Sequence, residues 1–206
     1  MAAPRQPWPG FTWGARSYLM GILNVTPDSF SDGGRCLEPT AALAQARQMA
    51  AEGADLLDIG AESTRPGAEP VSTDDEWARL ESVLTALEAD PDTPPVSLDT
   101  TKAPVAEKAF SGGLACVLND VHGLLGDPAL ADVAAQYQVG VIVMHNARLR
   151  PASGDIVEAA KRYFDEALGV ADRAGISGNA LVLDPGIGFG LTPQQSLTLL
   201  QRIGEL

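Results

Sequence analysis

Residues able to grip a polar ring or an anion stand at the ends of short apolar runs. Asn24 lies near the end of the run 18–25, Asp58 in 54–59, Asp99 just after 95–98, Asn119 just after 114–118 and Asp184 just after 180–183. Their chemistry is specific. A carboxylate accepts two adjacent N–H donors as a bidentate pair. An amide oxygen suits a hard cation such as magnesium. A guanidinium, here Arg65 in the stretch Glu62-Ser63-Thr64-Arg65, forks onto phosphate. The ordinary use of an aspartate at a strand end is to cap the next helix. One such residue is ambiguous, whereas three, each followed by further polar groups, point to a ligand. The followers are Thr100, Thr101 and Lys102 after Asp99, Asp120 and His122 after Asn119, and His145 and Asn146 after the run 139–144. His122 and His145 are the two histidines of the chain, and packing near a ligand is the expectation for both ahead of metal ligation.

The elements that position these groups alternate. Six apolar runs, nearly continuous in Val, Ile and Leu, read as strands buried on both faces of a parallel sheet. Between them lie helical stretches at 40–52, 72–89, 156–174 and from 193 to about 203. Ser72 and Asp75 suggest a capping box ahead of an apolar face of Trp77, Leu80, Val83, Leu84 and Leu87. Pro104, Pro128 and Pro193 sit where a first helical residue belongs. Strand–helix alternation means an α/β protein. An open doubly wound sheet binds mainly at one switch point, whereas barrel function is spread over the carboxyl ends of the strands. Polar groups at six strand ends therefore favour a (β/α)8 TIM barrel, with about six of its eight units in this chain.

Size and charge bound the rest. The chain has 206 residues, 45% of them hydrophobic, which suits one globular domain over 1–206 with an N-terminal extension at 1–17. A net charge of −13 argues against nucleic acid or an anionic membrane as partner. No run approaches the roughly 18 apolar residues of a spanning helix, and the proline-rich start is no signal peptide. Cys36 and Cys116 lack metal spacing and read as reduced thiols in a cytoplasmic protein.

Three glycine-rich loops stand out: MGILNVTPDSFSDGG at 20–34, DIGAESTRPGA at 58–68 and LDPGIGFG at 183–190. None fits a P-loop or dinucleotide fingerprint. Tight turns explain the glycines at least as well as close approach to a ligand. The first two motifs resemble the two mobile loops of dihydropteroate synthases. SLDTTK, LNDVHG, VMHN and LDPGIGFG resemble the family's later strand-end motifs, in the same order, so that the resemblance runs from Ser17 to Leu206. Corrinoid methyltransferases that act on methyltetrahydrofolate share the barrel but not these loops.

The resemblance implies a TIM barrel that condenses 6-hydroxymethyl-7,8-dihydropterin diphosphate with 4-aminobenzoate, giving 7,8-dihydropteroate and diphosphate in folate biosynthesis. It implies Mg2+ as cofactor, sulfonamides as competitors, and a homodimer. Carried onto this sequence, it assigns Asp99, Asn119 and Asp184 to the pterin, Met144 to the pterin pocket and Phe189 to the aminobenzoate pocket. Thr64 contacts substrate, and Asn24 is the metal-associated residue. The catalytic assignment falls on Arg65, Asp32 and Asp58, with Ser31, Phe30 and Asp32 ordering over the site. The expected chemistry is loss of diphosphate to a stabilised pterinylmethyl cation, followed by attack of the amine. Positioning and charge stabilisation carry it, with little need for a general base.

The chain departs from the family in three places. Leu191 replaces a common lysine, Asn146 stands where methionine is frequent, and the family's Ser-Arg-Lys and Arg-x-His motifs of the seventh and eighth strands do not occur. An incomplete piece of a working synthase is one reading. A short homologue that is inactive or only binds pterin is the other.

Overall fold

The computed structural model describes residues 6–26, 38–64 and 67–206. Strands and helices alternate throughout: β1 Met20–Asn24, α1 Pro39–Ala51, β2 Leu56–Gly60, α2 Thr73–Glu88, β3 Val96–Asp99, α3 Ala103–Ser111, β4 Val117–Asp120, α4 Ala129–Tyr137, β5 Gly140–Met144, α5 Ile156–Ala174, β6 Leu181–Asp184 and α6 Pro193–Gln201. All strand pairs are parallel, and the sheet order is β1-β2-β3-β4-β5-β6. A doubly wound sheet would reverse its strand order at a switch point. This one never reverses, so the helices share one face and the sheet curls as a barrel wall does. β1 and β6 are its two edges.

Alternation within each strand sorts side chains between two cores. Leu23, Leu57, Ile59, Leu98, Leu118, Val141 and Val143 point outward into the main core, where they meet Ala46, Leu80, Leu84, Ala106, Phe164 and Ala167 of the helices. Leu56, Val117 and Ile142 point to the concave face and meet one another although they come from three strands, which requires the sheet to be curved. Trp8 completes that inner group. Its indole Nε1 donates to the Ala180 carbonyl at 3.1 Å, and the carbonyl of Pro7 and the Trp8 ring fill the space that a side chain at Gly140 would need. Pro7 and Trp8 thus pack against the concave side of the sheet near the start of β5. Arg16 clips the N-terminal segment further, pairing both guanidinium nitrogens with the two Asp55 oxygens at 2.8 and 2.5 Å.

Several element starts differ from the sequence expectation. Ser72 accepts from the Asp75 amide, but the Ser72 amide does not donate back to the Asp75 carboxylate, so this is a single cap rather than a box. The full box belongs to α6, between Thr192 and Gln195. Pro104 is the second residue of α3 rather than the first, and Pro128 precedes α4 while Asp127 accepts from the Ala129 amide. The fourth strand starts at Val117 rather than near 114, because Leu114 still closes the end of α3 through Ala109. α5 opens on Asp155, which caps two amides, and closes on Gly175 in the left-handed region. Among the described residues no helix is long and apolar enough to cross a membrane.

Candidate active site

Strand register sets the floor of the site. Asn24 pairs with Gly60, Gly60 with Asp99 and Asp99 with Asn119, so three polar side chains from β1, β3 and β4 stand at one level. A side chain at Gly60 would crowd the Asp99 carboxylate, its Cβ standing 3.1 Å away. Asn119 donates from Nδ2 to Asp58 Oδ2 at 2.9 Å. Asp58 is 3% exposed, and burial raises its pKa to about 6, with Ser97 and Asn119 holding it partly down. Neither Asp58 Oδ1 nor Ser97 Oγ makes a hydrogen bond of good geometry among the described residues. The Asp99 carboxyl is pushed well above the usual range, first by burial and then by Asp58, Asp120, Glu76 and Glu62. Acids this close resist simultaneous ionisation.

Above the floor lies a cleft of about 220 Å³. Thr64, Asp99 and Phe189 line it, as do Glu76, His122 and Arg148. Asn24, Asp58, Asn119, Met144 and Asp184 are not in its wall. Asn119 stands level with Asp99 on the next strand and donates to Asp58. Met144 is buried at the end of β5 and pairs in register with Asp184. Asp184 accepts from the Gly186 amide at 2.8 Å, which fixes the turn into the glycine-rich loop. Asn24 is exposed at the end of β1. Arg65 and Asp32, with Phe30, Ser31 and Cys36, lie outside the described residues.

The LDPGIGFG glycines serve the backbone of a neighbouring loop. A Cβ at Gly186 would fall 1.8 Å from the His145 carbonyl oxygen, and one at Gly190 would fall 2.7 Å from the Arg148 amide. This close packing joins the loop after β6 to the loop after β5 and holds Phe189 at the cleft. His145 itself points outward, edge-on to Tyr163 at 5.2 Å, 1% exposed and with its pKa lowered by burial. Its role is packing in the main core. His122 does face the cleft, and its carbonyl accepts from the Tyr163 hydroxyl at 2.8 Å.

A charged hub went unseen in the sequence. Glu76 on α2 is fully buried, accepts from Thr100 Oγ1 at 2.6 Å and from Lys102 Nζ at 2.5 Å. Lys102 also donates to Glu62, whose other oxygen accepts from the Val71 amide. Burial pulls the Lys102 pKa down, yet bonding to Glu62 and Glu76 outweighs it and the ammonium ends above its usual value. The two ends of the segment carrying Thr64 and Arg65 are therefore tied together and anchored to β3 and α2. A signal existed: Glu76 falls on the stripe of Leu80, Val83, Leu84 and Leu87, where an acid has no place unless paired. Asp120 and Asn146 have supporting roles. Asp120 accepts from the amides of His122 and Leu124, and Asn146 bonds the Val121 carbonyl and the Arg148 amide.

Comparison with known proteins bears on what this arrangement is for. The family model described as pterin binding enzyme matches residues 20–206. A dihydropteroate synthase of Synechocystis is 42% identical over 95% of this chain and 69% of its own length. The structure of a dihydropteroate synthase from Clostridium difficile, solved in the presence of pteroic acid, superposes with a TM-score of 0.87 at 43% identity, covering 95% of this chain and 73% of the other. One from Xanthomonas albilineans with 4-aminobenzoic acid gives 0.85 at 42%, covering 93% and 69%. The chain thus spans about 70% of the length of these relatives.

Proposed function

The chain belongs to the dihydropteroate synthases of the pterin-binding enzyme family, and we propose that its cleft joins a dihydropterin diphosphate to 4-aminobenzoate, giving 7,8-dihydropteroate and diphosphate. The observation that carries this reading is Asp99 in the cleft wall with Asn119 level with it on the next strand and bonded to Asp58. A pterin presents adjacent N–H donors along one edge, which suits carboxylates as bidentate acceptors. Engaging the Asn119 amide nitrogen with Asp58 leaves the Asn119 carbonyl oxygen to accept from the ring. Asp184 and Met144, paired across β5 and β6, complete the pterin side.

In the reaction the bond between the pterin methylene and the diphosphate oxygen breaks, and its electron pair leaves with the diphosphate. The aminobenzoate nitrogen then supplies its lone pair to the methylene carbon and gives up a proton to water. Positive charge develops on the pterin while it lies over the acid-rich floor. Asp58 and Asp99 stabilise it there without moving, which is the economical form of electrostatic catalysis. Thr64 and Arg65 receive substrate and leaving group, and Phe189 packs the aminobenzoate ring. Asn24 at the end of β1 offers an amide oxygen that would suit a magnesium ion. Bound there, the ion would offset charge on the departing diphosphate. Asp32 is assigned to the catalytic set with Arg65 and Asp58. The relatives described above are synthases, which leaves the corrinoid methyltransferase reading without a supporting observation.

The same reading puts the protein in the cytoplasm and makes it a homodimer, and light scattering on the purified chain checks the dimer. The decisive experiment incubates purified protein with both substrates and magnesium and measures dihydropteroate and diphosphate. Equal amounts of both products, suppressed by a sulfonamide in competition with 4-aminobenzoate, are expected. Pterin binding with no condensation would replace the synthase reading with one of pterin binding alone.

A further inference from the structure

Arg148 lies outside every motif that carries the family resemblance, yet it lines the cleft. Its Nη1 donates to the Thr64 carbonyl at 2.6 Å and its Nη2 to the Gly188 carbonyl at 3.1 Å. Its guanidinium carbon stands 4.8 Å from the centre of the Phe189 ring. It thus spans from the loop after β2 to the loop after β6, with the aromatic face beneath it. Among the described residues it is the one cation in the cleft wall, and no carboxylate pairs with it. The contrast with Arg150, two residues on, is plain: Arg150 pairs with Glu166 and turns away. Two carbonyls occupy two of the five guanidinium donors, and the others are left for a further acceptor.

We propose that Arg148 is a specificity residue for the second substrate, holding the carboxylate of 4-aminobenzoate while Phe189 packs its ring. This rests on the synthase reading above. A planar guanidinium beside an aromatic face suits an aromatic acid, with ring on ring and carboxylate on the fork. The alternative anion, the diphosphate, is assigned by that reading to Asn24 and Arg65. The Arg148 guanidinium instead lies over Phe189, the ring that the same reading gives to the aminobenzoate. In a chain with net charge −13, a local cation is also what admits an anionic acceptor to an acid-lined cleft.

The test compares 4-aminobenzoate with the neutral 4-aminobenzamide in wild type, Arg148→Lys and Arg148→Gln. In wild type kcat/KM favours the carboxylate. Arg148→Gln is expected to cut that preference roughly tenfold, the scale of one charge-assisted hydrogen bond at a partly open site. The KM for the pterin diphosphate stays within about twofold, and Arg148→Lys restores part of the preference. An unchanged preference in Arg148→Gln overturns the proposal. So does an equal loss for acid and amide, which would mean that Arg148 only braces the loops. Equilibrium binding of 4-aminobenzoate to the protein holding pterin, magnesium and diphosphate reads the same contact without turnover. If wild type makes no dihydropteroate but Arg148→Gln still weakens that binding, the synthase reading fails and the Arg148 assignment stands. Equal affinity in wild type and variant, or no binding by either, sinks the assignment.

Discussion

Among the described residues, β2 to β5 each lie between two other strands, whereas β1 and β6 are paired on one side alone. The consequence for burial is large. Every residue of β2 and β5 is buried, while β6 is half-buried throughout and β1 leaves Met20 and Ile22 38% and 60% exposed. Site residues on the inner strands are held by other side chains. Asp58 holds Asn119, Asp99 is packed against Gly60, and the Glu76–Lys102–Glu62 hub braces the loop behind them. Site residues on the outer strands are held locally. Asp184 is fixed by a turn into its own loop, and Asn24 stands exposed. The inner strands thus carry an acid-crowded floor tied across strands, and the outer ones carry groups held by local contacts or none.

The largest expected effect separates the two kinds of residue by the same substitution. Asp99→Asn and Asp184→Asn each remove a carboxylate proposed to take pterin N–H donors, and each should weaken pterin binding about 100-fold, the scale of a charge-assisted bidentate pair. Their effects on the fold should differ. Asp99→Asn relieves a crowd of acids and should raise the melting temperature at neutral pH. Asp184→Asn relieves nothing and should leave it level or slightly lower. Calorimetric titration with a pterin, alongside thermal melts, measures both. Melting shifts of the same sign and size in the two variants would erase the distinction.

The floor also predicts a pH dependence. Asp58 has its pKa raised to about 6 from 3.8, so the folded state holds its proton more tightly than the unfolded chain does. Folded protein therefore loses stability as pH rises from near 4 through about 6, by on the order of 3 kcal/mol for a shift of this size if no partner compensates. Asp99 is shifted in the same direction. Ligand binding runs the other way, because N–H donors favour the ionised acid, and pterin affinity should rise as pH climbs. Asp58→Asn should flatten the stability profile, which denaturant melts across that range report. A profile as steep as wild type would place the titration elsewhere.

How much of this was legible in the sequence follows from the same contrast. Inner strands of a parallel sheet are apolar on both faces, so their runs are continuous, and a lone Asp or Asn at the end of each is conspicuous. Asp58, Asp99 and Asn119 stood out for that reason and do meet in space. Glu76 was missed because its partners Thr100 and Lys102 lie 24 and 26 residues away, and an acid in the first turn of a helix is ordinarily a surface residue. Arg148 was missed because the polar stretch 146–155 also holds Arg150, and only three-dimensional placement tells the arginine that meets Glu166 from the one that meets Phe189. Trp8 was missed because prolines around it suggest a loose tail, while its burial depends on the curvature of six distant strands. Glu76→Gln tests the hub at moderate scale. It keeps an acceptor for Thr100 but removes the charge facing Lys102, and should cost about 2 kcal/mol in denaturant melts. It should also lower the pH at which pterin binding strengthens, since Asp99 would face one anion fewer. A stability loss with no such shift would confine the hub to bracing.

The smallest expected effect is the most direct check on the edge. Ile22 and Leu23 are neighbours on β1, yet Leu23 is fully buried against the helices and Ile22 is 60% exposed toward the concave side. Transfer of apolar area from water is what gives a core residue its stabilising contribution, about 25 cal/mol per Å². Ile22 has withdrawn little of its surface, so Ile22→Ser should change the unfolding free energy by no more than about 0.5 kcal/mol, as at an ordinary surface position. The backbone pairing of β1 with β2 is untouched by the change, and any loss must come from the side chain. Chemical denaturation of the purified chain decides it. A cost above about 1 kcal/mol would mean that Ile22 is covered in solution, and that β1 is held from its concave side as firmly as the inner strands are.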